Sequence, residues 1–214
     1  MKGTRFGNAA QLFIYSPGPD HGFGIKSRLS WMFMVRMKVE TCSGLVAANV
    51  GLLQQARSLV DRMDDATFST SPKGFAPHRV GSHLRHVLEF YDCFLEGVAT
   101  SRIDYDARKH DETLERNRHA AGVQVSSIIR DLEEASSLPK DLALVVRVED
   151  SEADAWLCSS IGRELQALSS HTIHHFALIA MTLRLHGVAV DPNFGMSPST
   201  LRFQSARLVL PEAC

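Results

Sequence analysis

Apolar residues recur at three- and four-residue spacing along most of the chain after about residue 40, a period typical of amphipathic helices. Polar, Gly-rich and Pro-rich stretches divide this pattern into four segments. The predicted helices cover about residues 40–63, 78–99, 111–136 and 160–187. Four helices of this length, joined by loops, predict an all-α fold in the form of an antiparallel four-helix bundle.

One segment between the third and fourth helices departs from the helical pattern. Residues 142–148 are apolar and β-prone, the letters EDSEAD then indicate a turn, and AWLCS follows. This succession makes a short β-hairpin a candidate between the two helices.

Both ends of the chain lack the helical period. Residues 1–39 carry more Lys and Arg than acids and contain many Gly and Pro residues. We expect a disordered basic extension there, with a basic targeting peptide or membrane-touching arm as the alternative. The helical domain is then expected over residues 40–204, and a C-terminal tail over 205–214.

Composition narrows the class of protein. Hydrophobic residues make up 44% of the chain, charged residues 22%, and the formal net charge is −1 at pH 7. These values are typical of a soluble globular protein and argue against a nucleic-acid binder, which normally carries a basic surplus. The four cysteines are scattered and form no C-x-x-C pair. We therefore expect neither a zinc ribbon nor a disulfide framework, and we expect a cytoplasmic location.

Histidines provide the strongest chemical signal in the sequence. His171 and His175 are spaced i and i+4, so a helix places them on one face with Cβ atoms about 5–6 Å apart. His174 falls on the flank of that helix. In the second helix His86 lies on the apolar face, and His83 precedes it by about one turn on nearly the same side.

Two helices with inward-facing histidines predict a divalent-metal site formed by His86, His171 and His175. Buried neutral imidazoles need partners, and a shared ion supplies one. Three histidines leave coordination positions open, as in catalytic rather than structural sites, and suit Zn, Ni, Fe or Mn. The alternative is a set of core histidines satisfied by hydrogen bonds. The metalloprotease motif H-E-x-x-H is absent from the sequence.

Further side chains are candidates for supporting roles around these histidines. Glu164 lies two turns before His171 on the same face and could orient a ligand or move a proton. Tyr105 and Arg108, in the predicted loop 100–110, are candidates for the mouth of the site. Arg85 is expected to pair with a carboxylate. No residue stands out as catalytic.

The chain resembles the DinB-like (damage-inducible B) superfamily of four-helix metalloproteins. The similar text is GSHLRHVLEFYDCF, IDYDARKHD, GRELQALSSHTIHHFALIAMTLRLHG and DPNFGMSPSTLR, within residues 41–204. The resemblance implies a metal triad of His86, His171 and His175, with His83 competing for the first place. It also implies a metal-dependent enzyme, a thiol S-transferase or a hydrolase, whose substrate is a small molecule such as a low-molecular-weight thiol.

The alternative function is a non-catalytic metal-binding or stress-response helical bundle, with a homodimer as a candidate assembly. Neither function requires nucleic acid or a membrane as a partner. The identity of the metal stays open at this point, because imidazole ligands suit several borderline ions.

Overall fold

The computed structural model describes residues 40–147 and 156–209, and these residues are mostly helical. The helices are α1 (Ser43–Arg62), α2 (Asp65–Ser69), α3 (Val80–Val98), α4 (Glu112–Arg116), α5 (Arg118–Glu134), α6 (Ile161–Leu185) and α7 (Pro198–Val209), with a 3₁₀ turn at Ala135–Ser137. The strands are β1 (Arg102–Asp104), β2 (Ala143–Arg147) and β3 (Leu157–Ser160). The predicted extension 1–39 and the predicted turn EDSEAD lie outside the described residues.

The four longest helices enclose the core. Helix α1 packs against α5 and α6, and α3 packs against the same two helices. Their apolar faces meet in a core whose largest fully buried side chains include Tyr91, Phe94 and Phe176. These helices correspond to the four predicted from the apolar spacing, so the mostly helical fold is confirmed.

A small sheet corrects the all-α prediction. Strands are ordered β1-β2-β3, with β1 parallel to β2 and β2 antiparallel to β3. The antiparallel strands β2 and β3 fall in the two segments predicted to pair. Strand β1 falls in a segment interpreted as a loop, because three residues are too few to show a period of two. Helix α3 lies tight against β1, since a Cβ on Gly97 would come within 2.6 Å of the Arg102 carbonyl oxygen.

The predicted third helix is interrupted. Asn117 ends α4 and caps α5, and its side chain accepts a hydrogen bond from the Ala120 backbone N–H. A side-chain cap of this kind satisfies one of the unpaired N–H groups at a helix start and competes with continuous helix. The break leaves α4 free to pack against α3, where a Cβ on Gly81 would collide with the Glu115 carbonyl.

Two further short elements differ from the sequence interpretation. Helix α2 lies in the stretch between the first and second predicted helices, and the Asp64 side chain caps it by accepting from the Thr67 N–H at 2.7 Å. Helix α7 runs from the end of the predicted domain 40–204 into the predicted tail 205–214. It starts at Pro198, a position where proline is tolerated because its missing N–H has no helical partner. None of the described helices combines the length and the apolar character that crossing a membrane requires.

Candidate metal centre

Helices α3 and α6 bring three imidazoles together. His86 comes from α3, and His171 and His175 come from α6. Their candidate ligand atoms all lie within 4.8 Å of one another. We call these three residues the histidine cluster. The structure thus brings the predicted triad together at one point between the two helices.

The spacing within the histidine cluster suits a shared ion. The Nε2 atoms of His86 and His171 are 3.1 Å apart. Zinc–nitrogen bonds are about 2.0–2.1 Å long, so two nitrogens on one tetrahedral ion are about 3.4 Å apart. The donor set and its separation therefore fit a divalent transition metal.

Burial keeps the three rings in the form that binds metal. The pKa of His86 is lowered to about 4, mainly by burial and then by the neighbouring His171 and Arg108. Burial, together with His174 and Arg108, lowers the pKa of His171 to about 4. Burial, with the other rings of the cluster, lowers the pKa of His175 to about 3. All three are therefore neutral at pH 7, with a nitrogen lone pair available.

His83 supports the cluster rather than replacing His86 in it. Its Nδ1 lies 3.3 Å from Nδ1 of His175, and its ring stacks on His78 with the centroids 5.5 Å apart. An imidazole that uses Nδ1 in such a contact keeps Nε2 for an ion, and contacts of this kind fix the orientation of metal-binding histidines. The sequence left His83 and His86 as competitors, and the structure places His86 in the cluster.

His174 and Glu164, the other two supporting candidates, are not part of the cluster. His174 is exposed on the flank of α6, and its ring meets His175 edge-on at 5.2 Å. Glu164 is buried, and its carboxylate accepts hydrogen bonds from the Tyr105 hydroxyl at 3.0 Å and from the Ser159 hydroxyl. Glu164 therefore secures the segments before α6 and after β1.

One aromatic ring, which the sequence interpretation missed, links the cluster to the loop after β1. The ring centroid of Phe90 lies 4.2 Å from that of His171 and 4.9 Å from that of His86. The Tyr105 ring stacks on the Phe90 ring with the centroids 5.0 Å apart. The Arg108 guanidinium lies over the Phe90 ring, 4.8 Å from its centroid. Phe90 is four residues after His86 and so lies on the same helix face, which is the signal that could have found it.

A buried polar network holds the helices beneath the cluster. The Tyr91 hydroxyl donates to Oδ1 of Asn49 at 2.7 Å and lies 3.1 Å from the Thr172 hydroxyl. The Asn49 amide donates to the carbonyl of Leu165 at 3.0 Å. The network ties α1 to α3 and α6, one residue from His171. An asparagine on the apolar face of the first helix was the available sequence signal.

Charged side chains next to the cluster are mostly paired. Arg85 contacts Glu89 at 2.9 Å and Glu115 at 3.2 Å, which confirms the predicted pairing with carboxylates. Glu89 also accepts from the backbone N–H of Asp111 at 2.7 Å. These contacts join α3 to α4.

Comparison with known proteins corrects the family interpretation. No protein-family model matches the chain. The chain is similar to a protein named FK506-binding protein 5. That protein, from Rhizopus delemar, is 35% identical over 176 residues, which cover 81% of this chain and 40% of the relative. The chain thus spans less than half the length of the curated relative.

The DinB-like assignment is wrong, because the similarity is to a protein named for binding FK506. The thiol S-transferase or hydrolase and the stress-response bundle that accompanied this assignment are withdrawn with it. An i,i+4 spacing places two side chains on one face of any helix, so the histidine pair predicts a local geometry without identifying a family. The clustering of His86, His171 and His175 stands as a separate structural observation.

Proposed function

We propose that this chain binds one divalent transition-metal ion through His86, His171 and His175. The observation that carries the proposal is the convergence of three imidazoles from two helices, with ligand atoms within 4.8 Å of one another. Imidazole ligands suit zinc, nickel and iron better than manganese, since affinity at such sites rises along that part of the first row.

The scaffold of this site is proposed to be a four-helix bundle. Helices α1, α3, α5 and α6 support it, because α1 and α3 each pack against both α5 and α6. In such bundles, metal sites are built from side chains on facing helices, as His86 on α3 faces the histidines on α6.

Three protein ligands leave at least one coordination position for an outside group. A bound ion would supply a Lewis acid that polarises the group in that position. The chain's own contribution is to hold the rings in place through His83 and Phe90, and to keep them neutral by burial.

Metal stoichiometry tests the proposal directly. Purified protein is stripped with a chelator, titrated with Zn²⁺, Ni²⁺ and Co²⁺, and the bound metal is measured by mass spectrometry. We expect about one ion per chain, and a Co²⁺ absorption spectrum of low coordination number. His171→Ala combined with His175→Ala should lower the affinity at least about 100-fold, since two of three ligands are lost.

An exposed histidine outside the cluster provides the matched control. His119→Ala on α5 should bind metal as the wild type does. The separation of 3.1 Å between His86 and His171 also suits an N–H···N hydrogen bond between neutral rings. Absence of tight metal binding, or equal binding by the double variant and the control, would establish that alternative and overturn the proposal.

A second candidate function is suggested by the relative's name. We propose that the chain takes part in an FK506-binding or peptidyl-prolyl isomerase-type activity, supported by 35% identity to a protein named FK506-binding protein 5. Calorimetric titration with FK506 and an assay of prolyl-bond isomerisation in a short peptide test it. Saturable binding or catalysis by this chain would support the proposal. If the chain shows no FK506 binding and no catalysis at micromolar protein concentration, the proposal is overturned for this chain.

A cytoplasmic location stays a proposal from the scattered cysteines of the sequence. Fractionation of cells that express the protein would test it. Recovery in a secreted or organellar fraction would contradict it.

A further inference from the structure

Arg108 lies beside the histidine cluster with unused hydrogen-bonding capacity. Its guanidinium is over the Phe90 ring, 4.8 Å from the centroid, and Phe90 also contacts His86 and His171. One guanidinium nitrogen, Nη1, donates to the Tyr105 carbonyl. The Nε atom is buried without a hydrogen-bond partner in the described part of the chain. A buried unpaired donor on a charged group is costly and indicates an absent acceptor.

The nearby carboxylates are already engaged by other donors. Arg108 lines a small pocket together with Glu89, Asp92 and Glu96. Glu89 pairs with Arg85, Asp92 accepts from Gln124 at 2.7 Å, and Glu96 pairs with Lys109 at 2.7 Å.

Glu164, a buried acid of α6, has an oxygen bonded to each of two hydroxyls, those of Tyr105 and Ser159. No hydrogen bond or ion pair in the described part of the chain joins Arg108 to these carboxylates, so we expect its acceptor to come from outside them.

We propose that Arg108 forms an oxyanion-binding subsite beside the histidine cluster, so that the ligand held there carries a carboxylate or phosphate group. A guanidinium offers two parallel N–H donors that match the two oxygens of such a group. The apolar ring of Phe90 beside it lowers the local polarity and strengthens the charge–charge contact. Nδ1 of His171 is also buried without a hydrogen-bond partner in the described residues, and its ring packs against Phe90.

This inference rests on the proposed metal site, because the anion is placed next to a bound ion. The probes are acetate and inorganic phosphate, titrated into Co²⁺-loaded protein at constant ionic strength and followed by the cobalt absorption bands and by calorimetry. Acetamide, which has the shape of acetate without its charge, is the matched control ligand. We expect saturable binding of acetate or phosphate and no response to acetamide at equal concentration.

Variants assign the binding to Arg108. Arg108→Gln should weaken anion affinity at least about tenfold, as expected for losing a hydrogen bond between charged groups. Arg108→Lys keeps the charge and loses the paired donors, so its anion affinity should lie between those of the wild type and Arg108→Gln. Arg130→Gln removes an exposed arginine from α5 and should bind the anion as the wild type does.

The outcomes separate the two proposals. If Co²⁺ fails to bind the wild type, the metal proposal fails. If Co²⁺ binds but anion affinity is the same in Arg108→Gln and Arg130→Gln, the oxyanion subsite is refuted while the metal site stands. The melting temperature and the Co²⁺ affinity of each variant show whether it is folded. If Arg108→Gln does not fold, the anion affinity of Arg108→Lys is compared with that of Arg130→Gln instead.

Discussion

Asp92 provides a test of the packing near the site through the pH dependence of stability. Burial is the main cause that raises the pKa of this carboxyl group from 3.8 to about 6, and the hydrogen bond from Gln124 opposes it. Between about pH 4 and pH 6 the folded protein therefore binds a proton that the unfolded chain has released. The free energy of unfolding must fall as pH rises through this window, and the full cost is present above pH 6.

The magnitude follows from the size of the shift. A change from 3.8 to about 6 corresponds to at most about 3 kcal/mol. Because the side chain is only half-buried, solvent screening reduces the expected effect to about 1–2 kcal/mol. Asp92→Asn removes the charge and keeps the carbonyl oxygen that accepts from Nε2 of Gln124 at 2.7 Å. The variant should be more stable than wild type by this amount at pH 7.

The assay is urea unfolding of both proteins at pH 4, 5, 6 and 7, with the difference in unfolding free energy plotted against pH. We expect a difference near zero at pH 4 that grows to about 1–2 kcal/mol by pH 7. Asp61→Asn, which removes an exposed charge on α1, is the control for net charge. A difference for Asp92→Asn that is independent of pH, or that matches the control, would refute the reasoning.

Two other variants test the contacts around the histidines. Tyr91→Phe leaves Oδ1 of Asn49 buried without its donor, so it should cost about 1–3 kcal/mol in unfolding free energy, and wild-type stability would contradict the importance of the network. His83→Ala removes the contact to His175 and should lower metal affinity about 10–100-fold by the same titration used for the cluster, with an unchanged affinity showing that His83 plays no orienting role.

Much of the helical fold could be predicted because burial imposes a period on the sequence. Helices α1, α3 and α6 each present an apolar stripe over several turns, which is the condition under which spacing predicts structure. Strand β1 could not be predicted, because it is only three residues long and is defined by pairing with distant β2. Pairing of this kind depends on tertiary packing rather than local propensity.

The break between α4 and α5 shows a different limit. Asn117 is neutral to unfavourable inside a helix, and its side chain instead caps α5 by accepting from the Ala120 backbone N–H. Sequence spacing alone reads the same stretch as one helix, since Leu114 and Ala121 are both buried and are separated by two helical turns.

At the site, helix arithmetic predicted which residues share a face and could not predict their partners. His171 and His175 converge with His86 as expected, because each lies on a regular helix. Glu164 is on the predicted buried face, but Tyr105 and Ser159 take up its oxygens. Those two residues come from β-strand and loop segments whose positions depend on the sheet. Spacing along the sequence therefore could not predict their contact with Glu164.

The metal proposal and the FK506-type proposal place different demands on the same residues, and this makes them separable. Metal binding depends on the three rings of the histidine cluster, whose geometry is local to α3 and α6. The proposed FK506-type activity rests on similarity over 176 residues and on the relative's name. If FK506 binds equally to wild type and to the His171→Ala, His175→Ala double variant, the two properties belong to separate surfaces. If the double variant loses FK506 and Zn²⁺ together while staying folded, FK506 binding depends on the histidine cluster or on the ion that it holds.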